Sequence, residues 1–202
     1  MDRRRLLITW ASLAALALAA GCGERAAGPA VPFKGVDITG ADYGRELALP
    51  DVDGRVRTLA DFKGKAVVVF FGFTHCPDVC PTTMAELADV KRRLGADGER
   101  LQAVFVTVDP ERDTPQQLKQ YMTAFDPSFV ALRGTPAQTE AIAKSFKAYY
   151  KKVPGADADS YTVDHTAGTY LFDPSGRVRL FERYGSGPEA LTSDVKALLS
   201  AG

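Results

Sequence analysis

The chain has 202 residues, enough for one domain plus an export or linker segment. Hydrophobic residues make up 46% and charged residues 25%, the balance of a soluble globular domain. Lys+Arg and Asp+Glu are equal at 25 each, so the chain has no bulk attraction for phosphate backbones, and nucleic acid is set aside as a partner.

Arg3, Arg4 and Arg5 open the chain, and Leu6 to Ala20 is an apolar run. At about 15 residues the run is short for a membrane span, which needs about 20, and it reads as the core of a signal peptide. It ends in LAAGC, Leu18 to Cys22, where small residues before a cysteine resemble the bacterial lipobox. Residues 1–22 are expected to be a signal peptide ending at a lipidated Cys22, with plain secretion or an uncleaved anchor as the alternative. The protein is then exported and anchored to a bacterial membrane, facing the periplasm or cell exterior, where disulfides can form. Residues 23–40 are rich in Gly, Ala and Pro and read as a flexible tether, leaving 41–202 as the folded domain.

Arg45 to Leu59 reads as two short strands around an Asp53-Gly54 turn. Ala66 to Phe73, AVVVFFGF, has the continuous apolar character of a strand buried on both faces. A helix is expected from Thr82 to about Leu94, and a second buried strand over Leu101 to Asp109. Thr114-Pro115 and Thr135-Pro136, each with Gln three residues after the Thr, are capping boxes that start two further helices around a strand at Phe129–Gly134. Thr169 to Phe181 reads as a hairpin about Pro174-Ser175-Gly176, and Ser186 to Leu199 as the last helix. This order predicts an α/β protein with a central mixed β-sheet flanked by helices and an N-terminal β-hairpin extension.

The chemistry gathers in GFTHCPDVCP, Gly72 to Pro81. Cys76 and Cys80 follow the first buried strand and bracket a helix entry, where the helix dipole favours thiolate. A dithiol at that place is the layout of the thioredoxin-like fold, and ligands bind outside the carboxyl ends of such strands. The spacing is one residue longer than the C-x-x-C of disulfide exchange, and it allows a structural disulfide, a redox pair or a metal clamp. His165 lies in the segment expected beside the thiol loop. There reductases place a cis-proline six residues before an Asp like Asp173, and this chain has Ala167. Two thiolates and an imidazole make a compact soft site for Cu(I), for Cu(II) with added ligands, or for Zn²⁺. His75 is expected to support that site or meet a partner. Asp78 is read as a turn residue that orients the loop or tunes the metal. Asp109 and Asp113 in VTVDPERDTP are read as structural or site-supporting rather than as an acid–base pair. Met84 is read as core.

Together GFTHCPDVCPTT, VTVDPERDTP and VDHT resemble the Sco/SenC family of copper-handling thioredoxin-fold proteins, over roughly Gly35 to the C-terminus. Phe73 stands where tyrosine is usual and Thr166 where serine is frequent, and neither change removes a ligand. The resemblance implies copper held by Cys76, Cys80 and His165, and Asp78 matches the position two after the first ligand. It implies delivery to the dinuclear copper centre of cytochrome c oxidase subunit II, with a copper donor protein and a thiol reductant as further partners. The alternative is a dedicated thiol–disulfide oxidoreductase that reduces the cysteines of that copper site. A peroxidase would need Thr-x-x-Cys, whereas Thr74 is two residues before Cys76.

Overall fold

The computed structural model describes residues 33–156 and 160–201. The expected signal peptide, Cys22 and the first part of the tether lie outside the described residues. An edge strand, β1 (Val36–Asp37), is followed by a hairpin of β2 (Ala48–Pro50) and β3 (Val56–Thr58). Then come β4 (Ala66–Gly72), α1 (Val79–Arg93), β5 (Leu101–Thr107), α2 (Pro115–Thr123), β6 (Val130–Leu132) and α3 (Pro136–Ser145). A second hairpin, β7 (Tyr150–Pro154) and β8 (Tyr161–His165), precedes β9 (Thr169–Phe172), β10 (Val178–Glu182) and α4 (Gly187–Ser200).

The main sheet runs β1-β10-β9-β4-β5-β6. β4, β5 and β6 are parallel, and β9, β10 and β1 are added antiparallel. Every residue of β4 and β5 is buried, as expected of strands covered on both faces. Phe70, Phe71, Phe105, Phe146 and Phe172 are among the largest fully buried side chains. Each contributes about 1.5–3 kcal/mol of burial free energy. α1 packs on α4, and α4 on β4. Met84 is wholly buried in this core.

Local chemistry sets most boundaries. Thr114 Oγ1 accepts from Gln117 N at 3.2 Å while Gln117 Oε1 accepts from Thr114 N at 3.0 Å, and Thr135 and Gln138 repeat the pattern. The β2–β3 hairpin turns at Gly54, whose φ of +83° suits glycine. It also covers the β6 edge, because Arg133 N donates to Pro50 O at 2.8 Å.

Three boundaries differ from expectation. Val36 and Asp37 pair with Phe181 and Leu180, so part of the stretch read as tether is sheet and the ordered chain begins before residue 41. Two residues carry no periodicity, and only the exposed edge of β10 makes them a strand. α1 starts at Val79 rather than Thr82, because Pro81 in a first helical turn has no N–H to forfeit. The segment around His165, for which no strand was expected, is β8, paired with β7 from Tyr150↔His165 to Pro154↔Tyr161. β8 alternates exposed Thr162 and Asp164 with buried Val163, but the consecutive lysines of β7 break the alternation on its partner.

Candidate metal centre

Cys76 lies in the loop between β4 and α1, and Cys80 is the second residue of α1. His165 ends β8, 85 positions after Cys80. The ligand atoms of these three residues all lie within 4.8 Å of one another, the one such cluster of His, Cys, Asp and Glu among the described residues. Both cysteines are free thiols rather than a disulfide, with Cys80 buried and Cys76 half-buried.

Each member is oriented by something else. The Cys80 amide donates to Cys76 Sγ at 3.4 Å, so the helix entry points a backbone N–H at the outer sulfur. His165 Nδ1 lies 3.1 Å from Thr166 O. As a donor there, it leaves Nε2 with its lone pair facing Cys80 Sγ at 3.4 Å. Phe70 and Phe73 meet the imidazole edge-on, each with centroids 5.8 Å away. A Cβ on Gly72 would stand 2.9 Å from Cys80 Sγ and 2.8 Å from the Phe70 ring, so only glycine leaves room for the inner sulfur.

The two thiols are electrostatically unequal. Cys76 is pulled down to about 4, first by the Cys80 thiol, then by the amides of Asp78 and Cys80 and by His165, against the opposing effect of burial. Cys80 is pushed far up, first by its neighbour Cys76 and then by burial. At neutral pH the pair is an outer thiolate beside an inner protonated thiol.

The remaining expected residues fall around this centre. His75 is 47% exposed, turned toward Thr74 Oγ1 at 3.1 Å and Asp113 at 3.8 Å, and outside the three-residue cluster. Asp78 is exposed at the N-cap of α1, where its carboxylate accepts from Thr82 Oγ1 at 3.4 Å but makes no side-chain cap to the helix amides. Asp109 and Asp113 are fully buried. Asp113 accepts from Thr74 N at 3.2 Å, Thr74 Oγ1 at 2.6 Å and Thr107 Oγ1 at 2.5 Å, so it clamps the thiol loop to β5. Asp109 accepts from Arg112 Nε and, at 2.8 Å, from Tyr161 Oη, which ties the loop after β5 to β8. Gly72, Arg112 and Tyr161 went unnoticed in the sequence. Arg112 sits inside VTVDPERDTP, but nothing local marks Tyr161.

A thioredoxin-like sheet with a dithiol at the end of β4 and an imidazole brought over it defines a soft metal-binding or redox domain. The SCO1/SenC family model matches residues 36–200. The bovine mitochondrial SCO2 homologue is 37% identical over 158 residues, which cover 77% of this chain and 59% of the bovine one. The matched region is thus less than two thirds of that relative's length. The structure of ScoI from Bradyrhizobium japonicum with copper bound is 43% identical, with a TM-score of 0.69, covering 77% of this chain and 98% of that one. BsSco, a member of the Sco family of cytochrome c oxidase assembly proteins in which a disulfide switch was identified, is 27% identical with a TM-score of 0.62, covering 82% and 97%. The chain belongs to the SCO1/SenC family.

Proposed function

We propose that this protein is a copper metallochaperone of cytochrome c oxidase assembly. Cys76, Cys80 and His165 hold one copper ion as cargo for the dinuclear copper centre of oxidase subunit II. The convergence of two sulfurs and one imidazole nitrogen within 4.8 Å carries the reading. Small shifts of the side chains bring such donors to one ion at metal–sulfur and metal–nitrogen bonds of about 2.3 and 2.0 Å. Soft sulfur donors favour Cu(I), and added ligands allow Cu(II). The copper-bound relative supports the same choice. Cys76 offers a thiolate before metal arrives, whereas Cys80 must release its proton, so loading is coupled to proton release and needs reduced thiols. A copper donor, a thiol reductant and a membrane anchor through a lipid on Cys22, outside the cytoplasm, complete the proposal.

The unequal thiols favour one second reading, a dedicated thiol–disulfide oxidoreductase. The Cys76 thiolate attacks a partner disulfide and displaces one partner thiolate. Cys80 then gives up its proton and attacks the Cys76 sulfur, releasing the second partner thiolate. The partner gains two electrons, and Cys76 and Cys80 end as a disulfide. The oxidase copper-site cysteines are the partner this reading names.

Anaerobic Cu(I) titration of the reduced protein against a competing chelator separates the two, run beside Cys76→Ala, Cys80→Ala and His165→Ala. One copper per chain, weakened in all three variants, is the chaperone result. No competitive binding, with Cys76 and Cys80 still cycling through a disulfide, makes the protein a reductase.

A further inference from the structure

The strand that carries His165 is not part of the main sheet. Among the described residues β8 pairs only with β7, in a separate two-stranded sheet, so no ladder of main-sheet hydrogen bonds there fixes its distance from the thiols. Other contacts must do so: Val163 is buried in the core, and a polar set converges on Tyr161, four positions before His165 on the same strand. Residues i and i+4 of a strand share a face, so both side chains face the same way. The Tyr161 carbonyl accepts from Arg112 Nη1 at 2.8 Å, and its hydroxyl donates to Asp109 Oδ1 at 2.8 Å. The Arg112 guanidinium stacks 3.6 Å from the centre of the Tyr161 ring. Asp109 holds Arg112 in turn, and Phe73, the ring that packs on His165, lies 5.8 Å from the guanidinium. Arg112 Nη2 is buried without an acceptor, an uncompensated cost that free optimisation of stability would remove. The ion pair of Lys152 with Glu111 is exposed and holds little, although Lys152 Nζ also lies 4.9 Å from the centre of the Tyr161 ring.

We propose that Arg112 is the positioning residue that sets His165 over the dithiol, acting through Tyr161 with Asp109 as its support. Rigidly docked, the arm presents Nε2 to Cys80. Released, it leaves a dithiolate with no imidazole, so Arg112 governs whether the centre has two protein donors or three. The proposal rests on the reading of Cys76, Cys80 and His165 as the ligand set.

The test compares Arg112→Gln, Arg112→Lys and Tyr161→Phe with wild type, with Lys151→Ala, at an exposed position of β7, as an arm-surface control and His165→Ala as the reference for lost ligation. Two readouts are taken: hydrogen exchange of residues 150–165 in the reduced, metal-free protein, and nitrogen hyperfine coupling in the EPR spectrum of the Cu(II)-loaded protein. Arg112→Gln is expected to speed exchange in the arm by at least about tenfold while β4, β5 and α1 keep their protection. It is also expected to lose nitrogen coupling, keep one copper per chain, and weaken copper binding by about 10–100-fold. Wild-type arm exchange and nitrogen coupling in Arg112→Gln overturn the proposal. If that variant loosens the main sheet as well, Arg112→Lys decides. It keeps the charge beside Asp109 but loses the planar fork on Tyr161, so wild-type behaviour there overturns the proposal too. If His165→Ala leaves the copper spectrum unchanged, the ligand assignment fails, and the exchange data still judge the clasp.

Discussion

Gly72 and Cys80 are packed so closely that one methyl group on the glycine would stand 2.9 Å from the cysteine sulfur. The last residue of a buried strand thereby determines how deep the inner thiol sits. Gly72→Ala must displace the sulfur and the Phe70 and Phe105 rings together, because each would lie under 3.0 Å from the new methyl group. It is expected to cost about 1–3 kcal/mol of stability through overpacking. It should also weaken copper binding more than a core substitution away from the site, and denaturant unfolding beside chelator competition checks both effects.

Cys76 should be alkylated by iodoacetamide at a nearly constant rate from neutral pH down to about 5. Its thiol lies at about 4, so the reactive thiolate persists above that value and disappears only as pH falls through it. In Cys80→Ala the largest cause of the depression is gone, and the inflection should move up toward the ordinary thiol range. Peptide-resolved alkylation against pH measures this. An unmoved inflection would show that the helix amides, not Cys80, hold the thiolate.

Glu182 should make stability fall as pH rises from mildly acid to neutral. Its carboxyl is buried beside Asp194, and it is raised from 4.5 to about 7, first by burial and then by Asp194. Between those values the folded chain keeps a proton that the unfolded chain has lost, so unfolding gains ground with each step up in pH and levels off above about 7. Glu182→Gln mimics the protonated form. It should match wild type near pH 5 and exceed it near pH 8, as read by Tm at the two values.

Asp113→Ala should loosen the thiol loop. The carboxylate accepts from both the amide and the hydroxyl of Thr74 and from the Thr107 hydroxyl, all at a fully buried position. Leaving those donors unpaired is expected to cost about 1–3 kcal/mol for each one stranded. Faster hydrogen exchange over residues 73–79 at unchanged exchange in α3 is the expected signature.

Much of the candidate metal centre was legible in the residues themselves. The apolar run of β4, the thiols directly after it and the threonine-proline helix starts are short-range patterns, and local chain geometry is enough to place them. Cys76 and Cys80 are near neighbours because they are close along the chain. His165 could be named as their companion through its motif, but its position 3.4 Å from Cys80 depends on contacts between residues far apart in sequence. The same holds for β1, a strand only because β10 has an edge to fill, and for the β7–β8 arm, where Lys151 and Lys152 break the alternation on one strand. Nothing in the order of residues marks Tyr161 as the partner of Asp109 and Arg112, or Gly72 as the space for a sulfur. Those relationships arise when the chain packs, because burial and hydrogen-bond satisfaction are settled between surfaces that only the tertiary fold brings together.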